Sequence, residues 1–165
     1  MQELEKGLEI SVAPALASRA LAAFARQLEQ WDVKMPNVEP LVLDFGLGTF
    51  YETGLIEYWI CNELQAGYCG KYLFVFDGQT CPMHRHKIKT ETFFIVKGTV
   101  NCTWNGQTRA LVEGDTLLLE PWTAHSFTGV GPALVLEIST PCLIDDNYFE
   151  NPNIPIGGNY GGGGL

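Results

Sequence analysis

Cysteine, basic charge and histidine are the scarce or scattered features of this sequence. There is no Cys-x-x-Cys pair, and the count of five, at positions 61, 69, 81, 102 and 142, is odd. A disulfide framework is therefore not expected. Four of the five lie in apolar or strand-like runs, so reduced, buried thiols are the expectation, with Cys81 as the one that has an alternative role as a metal ligand. No run approaches the ~20 consecutive apolar residues of a spanning helix, and the opening MQELEKGLEI is charged rather than signal-like. Ten Lys and Arg face nineteen Asp and Glu, a formal charge of -9 that repels phosphate backbones and anionic lipid heads. Nucleic acid and membrane are poor partners for such a surface, and a cytoplasmic setting is expected.

What is present suits one globular domain. At 165 residues and 46% hydrophobic composition, the chain can bury a single core without covalent help. From Ala15 to Trp31, apolar residues Leu16, Ala20, Leu21, Phe24, Leu28 and Trp31 recur at three- and four-residue steps. This predicts an amphipathic helix opened by Pro14 and closed before Met35-Pro36. Its polar face is not a basic stripe, so it is expected to pack on the rest of the protein or on a second subunit.

After Pro40 the period changes. Leu41 to Phe45, Ile56 to Asn62, Lys71 to Phe76, Thr92 to Val96, Thr99 to Trp104, Thr108 to Val112, Thr116 to Glu120, His125 to Gly129 and Ala133 to Ser139 are short β-branched and aromatic runs. Gly, Asn, Asp and Pro punctuate them, and many short strands at steady spacing predict an all-β antiparallel barrel or jelly roll. Asn105-Gly106 between two runs predicts a tight hairpin with a type I′ turn. The expected organisation is a helical segment over 1–40, a barrel over 41–154 and a glycine-rich tail over 155–165.

The three histidines fall in two segments. Gly78 to Gly98 reads Gly, five residues, His84-Arg85-His86, four residues, Glu91, six residues, Gly98. Alternate residues of a strand face one side, so His84 and His86 can offer imidazole to one ion. Glu91 lies an odd number of positions beyond and needs a turn within Lys87 to Thr90 to join them. His125, at the start of a later strand, can close the set. Three imidazoles and one carboxylate suit Mn, Fe, Co, Ni or Zn rather than Ca or Mg.

This spacing resembles the first motif of the cupin superfamily, and Gly114 to His125 resembles the second. One departure is that Pro121 stands four residues before His125, where the general pattern has five and a following glycine. The surrounding words are similar to the small D-lyxose isomerase group. They include Leu43 to Gly48, Tyr68 to Lys71, Gly78 to Pro82, Lys89 to Phe93, Pro121 to Phe127, Leu136 to Thr140 and Asp146 to Ile154. The likeness spans roughly 41–154. It implies a single cupin barrel, to which the N-terminal helix predicted from periodicity is added, together with a manganese-type divalent ion, a homodimer, and ketol isomerisation of a free sugar such as D-lyxose/D-xylulose or D-mannose/D-fructose.

Such a reaction needs an acid–base pair besides the ion. Lys89, two residues before Glu91, shares its face if the chain there is extended; otherwise it is a solvated strand-edge lysine. Glu137 interrupts the apolar Ala133 to Ile138, where a carboxylate needs a partner. The resemblance implies that Glu137 is catalytic, while a structural carboxylate is the alternative. Trp104, Trp122, Phe127 and Tyr148 are expected to pack or to stack on a sugar, and one of Asp145, Asp146 and Glu150 to reach distal hydroxyls. A cupin Fe(II) oxygenase and a non-catalytic sugar- or metal-binding cupin are the competing readings.

Overall fold

A computed structural model describes residues 2–158, so residues 159–165 of the expected tail lie outside the described part. The chain opens with α1 (Gln2–Leu8), which the sequence reading did not anticipate, and continues into α2 (Pro14–Trp31). Pro14 occupies the first turn of α2, where its missing N–H costs nothing. The helix ends at Trp31 because Asp32 turns left-handed, φ 53°, and the Val33 N–H reaches back to the Leu28 carbonyl at 3.1 Å. Met35-Pro36 plays no part in that stop.

Eleven strands follow among the described residues, in two facing sheets. One sheet is built from β1 (Leu41–Leu43), β2 (Leu55–Glu63), β3 (Tyr68–Val75), β10 (Ala133–Ser139), β5 (Glu91–Lys97) and β8 (Thr116–Leu119), in that spatial order. The other runs β11 (Asn147–Phe149), β4 (Thr80–His86), β9 (His125–Gly129), β6 (Thr99–Trp104) and β7 (Gln107–Val112). Every paired strand is antiparallel, giving the expected jelly-roll barrel.

The period of two decides which core each side chain joins. Leu55, Leu73 and Val135 point between the sheets, where they meet Phe93, Ile95, Val100 and Phe127. Their neighbours Ile56, Phe74 and Leu134 point outward and are covered by Ala20 and Phe24 of α2. Phe24 lies 4.5 Å from the Phe74 ring, and burying a side chain of that size contributes about 1.5–3 kcal/mol. The larger sheet is thus apolar on both faces because a helix lies on one of them.

Asn105 and Gly106 both take positive φ, 48° and 74°, and join β6 to β7 as a type I′ hairpin. Besides α1, two elements escaped the sequence reading: the 3₁₀ turn Ile144–Asp146 and the short strand β11 that follows it. Both are too short to show a period. Residues 154–158 run on from them, with Ile154 and Ile156 against the barrel core and the Gly158 N–H donating to the Asn147 carbonyl at 2.7 Å.

Candidate metal centre and active site

Strand β4 is where the sequence forces the geometry. Cys81 is opposite Phe127 on β9, but His84 is opposite His125, so β4 holds one extra residue between these pairs. Pro82, which has no N–H to give to a ladder, sits in this bulge. Its effect is that Cys81 and His84, three apart, both point inward, and His86 follows two residues later. His125 lies directly across from His84, with ring centroids 4.2 Å apart. The chain bends over 87–90 and re-enters the other sheet at Glu91, which supplies the change of side that the odd spacing required.

His84, His86, Glu91 and His125 converge: one ligand atom from each lies within 4.8 Å of all the others, and all four residues are buried. The rings are oriented from behind. His84 Nδ1 donates to the Pro82 carbonyl at 2.8 Å, His86 Nδ1 to Asp146 at 3.1 Å and His125 Nδ1 to Thr123 at 2.9 Å. Because carbonyls can only accept, each Nδ1 carries the proton and each Nε2 presents a lone pair inward. Glu91 Oε1 meets these lone pairs 2.8 Å from His125 Nε2 and 3.3 Å from His86 Nε2.

Those three are among the buried side-chain atoms of the described residues that have no hydrogen-bond partner. Acceptors that face one another out of water are unfavourable unless a cation lies between them. The donor set therefore fits a divalent ion. Cys81 stays outside the set, facing the core, with its thiol pushed well up by burial.

The second oxygen of Glu91 faces away from the cluster. Lys89 Nζ lies 2.6 Å from Glu91 Oε2 and 2.9 Å from Glu137 Oε1, and only 3% of the Lys89 side chain is exposed, so it is no solvated strand-edge residue. Ser139 Oγ donates to the same Glu137 oxygen at 3.0 Å. Across from Glu137 on β3 is Lys71, with Nζ 3.3 Å from Glu137 Oε2 and 3.6 Å from Glu57 Oε2, while the Trp59 indole N–H donates to that Glu57 oxygen at 2.6 Å. Buried charge thus alternates from Glu91 through Lys89, Glu137 and Lys71 to Glu57.

Lys71 and Glu57 were missed in the sequence. The signal that could have found them is the one that found Glu137: Leu55-Ile56-Glu57 and Tyr68 to Val75 each set a charged residue in a run otherwise apolar or aromatic at inward positions. The charges hold one another. Burial opposes ionisation of Glu137, but the Lys71 and Lys89 ammoniums outweigh it and its carboxyl sits below the usual range. Burial likewise opposes Glu91, and Lys89 with His125 brings it well below. Lys71 and Lys89 are lowered by burial yet end raised, because neighbouring Glu137 is among the groups around both. His84 and His86 are lowered first by burial, and further by the neighbouring histidines at His84 and by the Lys89 ammonium at His86.

One cavity joins these groups. Its charged wall is Glu57, Lys71, Glu137, Lys89, Glu91 and His84; its apolar wall includes Phe45, Leu73, Phe127 and Phe149. Phe45 and Phe149 meet edge to face, 5.4 Å apart, on the apolar side.

Of the aromatics singled out in the sequence, Phe127 lines this cavity and Trp104 packs on the core from β6, beside His125. Trp122 is 52% exposed and stacks near Tyr148, 5.8 Å away, outside the cavity. Trp122 takes φ 66°, a left-handed conformation that glycine adopts more readily, and its N–H donates to the His86 carbonyl at 2.6 Å. The altered second motif thereby still delivers His125. Asp146 turns from the cavity and receives backbone N–H groups of Lys87, Ile88 and Lys89. Asp145 pairs with Lys6 at 3.1 Å.

The D-lyxose isomerase family model matches residues 20–103, and the cupin domain model residues 74–139. A D-lyxose/D-mannose isomerase from Thermosediminibacter oceani is 32% identical, the match covering 72% of this chain and 78% of that protein. The chain belongs to the D-lyxose isomerase family. A second family relative, a D-lyxose ketol-isomerase from Thermofilum sp., is 29% identical over 68% of this chain and 77% of its own. Among solved structures, L-ribose isomerase from Cellulomonas parahominis with L-psicose superposes at TM-score 0.65, covering 85% of this chain and 93% of that one at 15% identity. A mutant L-ribose isomerase from Acinetobacter sp. DL28 with L-ribose superposes equally, TM-score 0.65, at 16% identity over 80% of this chain and 82% of that one. These two show the fold, and the isomerase expectation rests on the family match.

Proposed function

We propose that this protein is a metal-dependent ketol isomerase of free sugars, interconverting D-lyxose with D-xylulose and, by the same chemistry, D-mannose with D-fructose. The observation that carries this reading is the row of alternating buried charges beside a three-histidine, one-glutamate cluster in a single small cavity. Its members in the family, named as isomerases of D-lyxose and D-mannose, support the substrate class.

His84, His86, Glu91 and His125 would hold the ion, for which manganese is our assignment. Bound there, a divalent ion supplies a Lewis acid that polarises the C1 and C2 oxygens of an open-chain sugar. The chain's own residues do the proton work. Glu137, kept anionic between two ammoniums, takes the proton from C2 and returns it to C1. Its Oε1 is occupied by Lys89 and Ser139, so Oε2, with its longer contact to Lys71, is the oxygen that accepts. Lys89 donates toward the oxygen on which negative charge develops or relays the hydroxyl proton from O2 to O1, which completes the aldose–ketose exchange, and Glu91 Oε2 holds it in place. Phe45, Phe149 and their neighbours exclude water from the intermediate.

Free, reduced cysteines among the described residues support the cytoplasmic setting, and exposed Ile138 and Leu118, in one row on the outer face of the larger sheet, support a homodimer. The test is a panel of D-lyxose, D-xylulose, D-mannose and D-fructose, each with Mn(II), Fe(II), Co(II), Ni(II) or Zn(II) under nitrogen. The expected result is aldose–ketose conversion with solvent deuterium entering at C1 or C2. Oxygen uptake with Fe(II) and no conversion would instead make the protein an oxygenase, and metal binding without turnover a binding module.

A further inference from the structure

The bend between β4 and β5 carries Lys89 between two metal ligands, His86 and Glu91, yet four residues are too few to fix a lysine by themselves. Its N–H groups at 87, 88 and 89 lie between the two strands, outside both ladders, and need an acceptor. Asp146 supplies one. Its carboxylate, buried at 5% exposure, takes the Lys87 N–H on Oδ1 at 2.9 Å and the Lys89 N–H on Oδ2 at 3.0 Å. The Ile88 N–H is shared between the two oxygens, at 3.2 and 3.1 Å. The backbone carbonyl of the same residue accepts from His86 Nδ1 at 3.1 Å.

We propose that Asp146 is a positioning residue that sets the Lys87 to Lys89 bend and the His86 ring together, and so couples the metal cluster to the acid–base pair. The metal and the role of Lys89 rest on the function proposed above; the coupling itself does not need a sugar. Three successive N–H groups converging on one carboxylate make a rigid cradle, since charge-assisted hydrogen bonds are stronger than neutral ones. Holding the bend keeps the Lys89 ammonium on Glu91 Oε2 and leaves Oε1 to the histidines. Holding the Asp146 carbonyl keeps the His86 proton on Nδ1 and its lone pair inward.

The 3₁₀ turn that presents Asp146 is itself anchored. Glu3 of α1 accepts the Ile144 N–H at 2.7 Å, Lys6 joins Glu3 at 2.9 Å to Asp145 at 3.1 Å, and the Asn147 amide donates to the carbonyls of Leu143 and Ile144 at 3.0 and 2.9 Å. The unanticipated N-terminal helix therefore braces the site from outside.

Asp146→Asn keeps the shape but turns an N–H₂ group toward N–H donors. In this variant we expect amides 87 to 89 to exchange with solvent at least tenfold faster, and Mn(II) to bind about tenfold more weakly by calorimetry. Loss at this scale is what misoriented histidine ligands cause. A variant that is merely less thermostable, with wild-type Mn(II) affinity and wild-type exchange at 87 to 89, overturns the proposal. Should the variant not fold, exchange in the metal-free wild type decides: protection of the three amides equal to that of β5 supports the cradle, and exchange as fast as an exposed loop ends it. If Mn(II) affinity depends on Asp146 while no sugar is turned over, the isomerase reading fails and this one stands.

Discussion

Lys71 Nζ lies 3.3 Å from Glu137 Oε2, on the other side of that carboxylate from Lys89. A carboxylate clamped by two ammoniums is ionised at neutral pH but is a weak base, and under the proposed mechanism substrate would have to loosen one of the contacts to strengthen it. The longer one, to Lys71, is the contact that can give.

Replacing Glu137 by Gln keeps its volume and removes the proton acceptor. Turnover should fall by about 10²- to 10⁴-fold, the usual contribution of a general base, while Mn(II) affinity stays within a few-fold of wild type. Steady-state kinetics and calorimetry measure the two. Wild-type turnover would take Glu137 out of the mechanism.

Lys71→Met leaves Glu57 and Glu137 buried without the cation between them. Stripping one partner from such a set costs about 3–5 kcal/mol, read from urea unfolding. Adding Glu57→Gln should recover part of that loss, since one stranded charge is removed. Strict additivity of the two substitutions would show that they are not coupled.

In the metal-free protein the depressed histidines and carboxylates act in one direction. His84 and His86 sit below their ordinary 6.5, so below that pH the unfolded chain binds more protons and stability falls as pH drops. Glu91 and Glu137 sit below 4.5, and their contribution, present above that pH, is lost as pH falls further. A melting-temperature series should be level near pH 7 to 8, then decline from about 6.5 and steepen below 4.5. Saturating Mn(II) should raise the curve at pH 7 and lose its effect on the acid side, as protons compete for the ligands. A flat acid limb would contradict the burial of these groups.

Thiol labelling tests the interior independently. Burial pushes Cys69 and Cys102 up to about 12, and raises Cys81 and Cys142 as well, leaving half-buried Cys61 as the accessible one. Ellman's reagent should count one fast thiol in the native protein and five in denaturant. Two or more fast native thiols would mean that the barrel opens.

Gly98, which closes the first motif, is at φ 77°, and a Cβ there would strike the Pro132 carbonyl oxygen. Gly98→Ala should cost well over 1 kcal/mol of unfolding free energy, because both the backbone angle and the space reject it. An unaltered urea midpoint would show that the β5–β6 turn relaxes freely.

Much of this architecture was legible beforehand, for reasons that differ by element. The α2 helix and nine of the strands announced themselves because burial on one or two faces imposes a period, and Asn105-Gly106 did so because few other pairs tolerate positive φ twice. The four clustered residues His84, His86, Glu91 and His125 were legible because a site able to hold a metal uses rare residues at short spacing. Boundaries moved by up to three residues, the largest shift being from Lys71 to Tyr68 at the start of β3, and α1, the 3₁₀ turn and β11 gave no signal, being seven, three and three residues long.

Sequence alone thus determined a jelly-roll barrel, its helix, the residues of the histidine–glutamate cluster and two members of the buried charge row, because each is encoded by local spacing or by one polar residue in an apolar run. Tertiary structure decided the rest. The pairing of Lys71 and Glu57 with Glu137 depends on the register of β2, β3 and β10. The inward turn of both Cys81 and His84 depends on a bulge measured against β9. The cradle that Asp146 makes joins residues 57 to 59 positions apart, a separation over which no local pattern carries information.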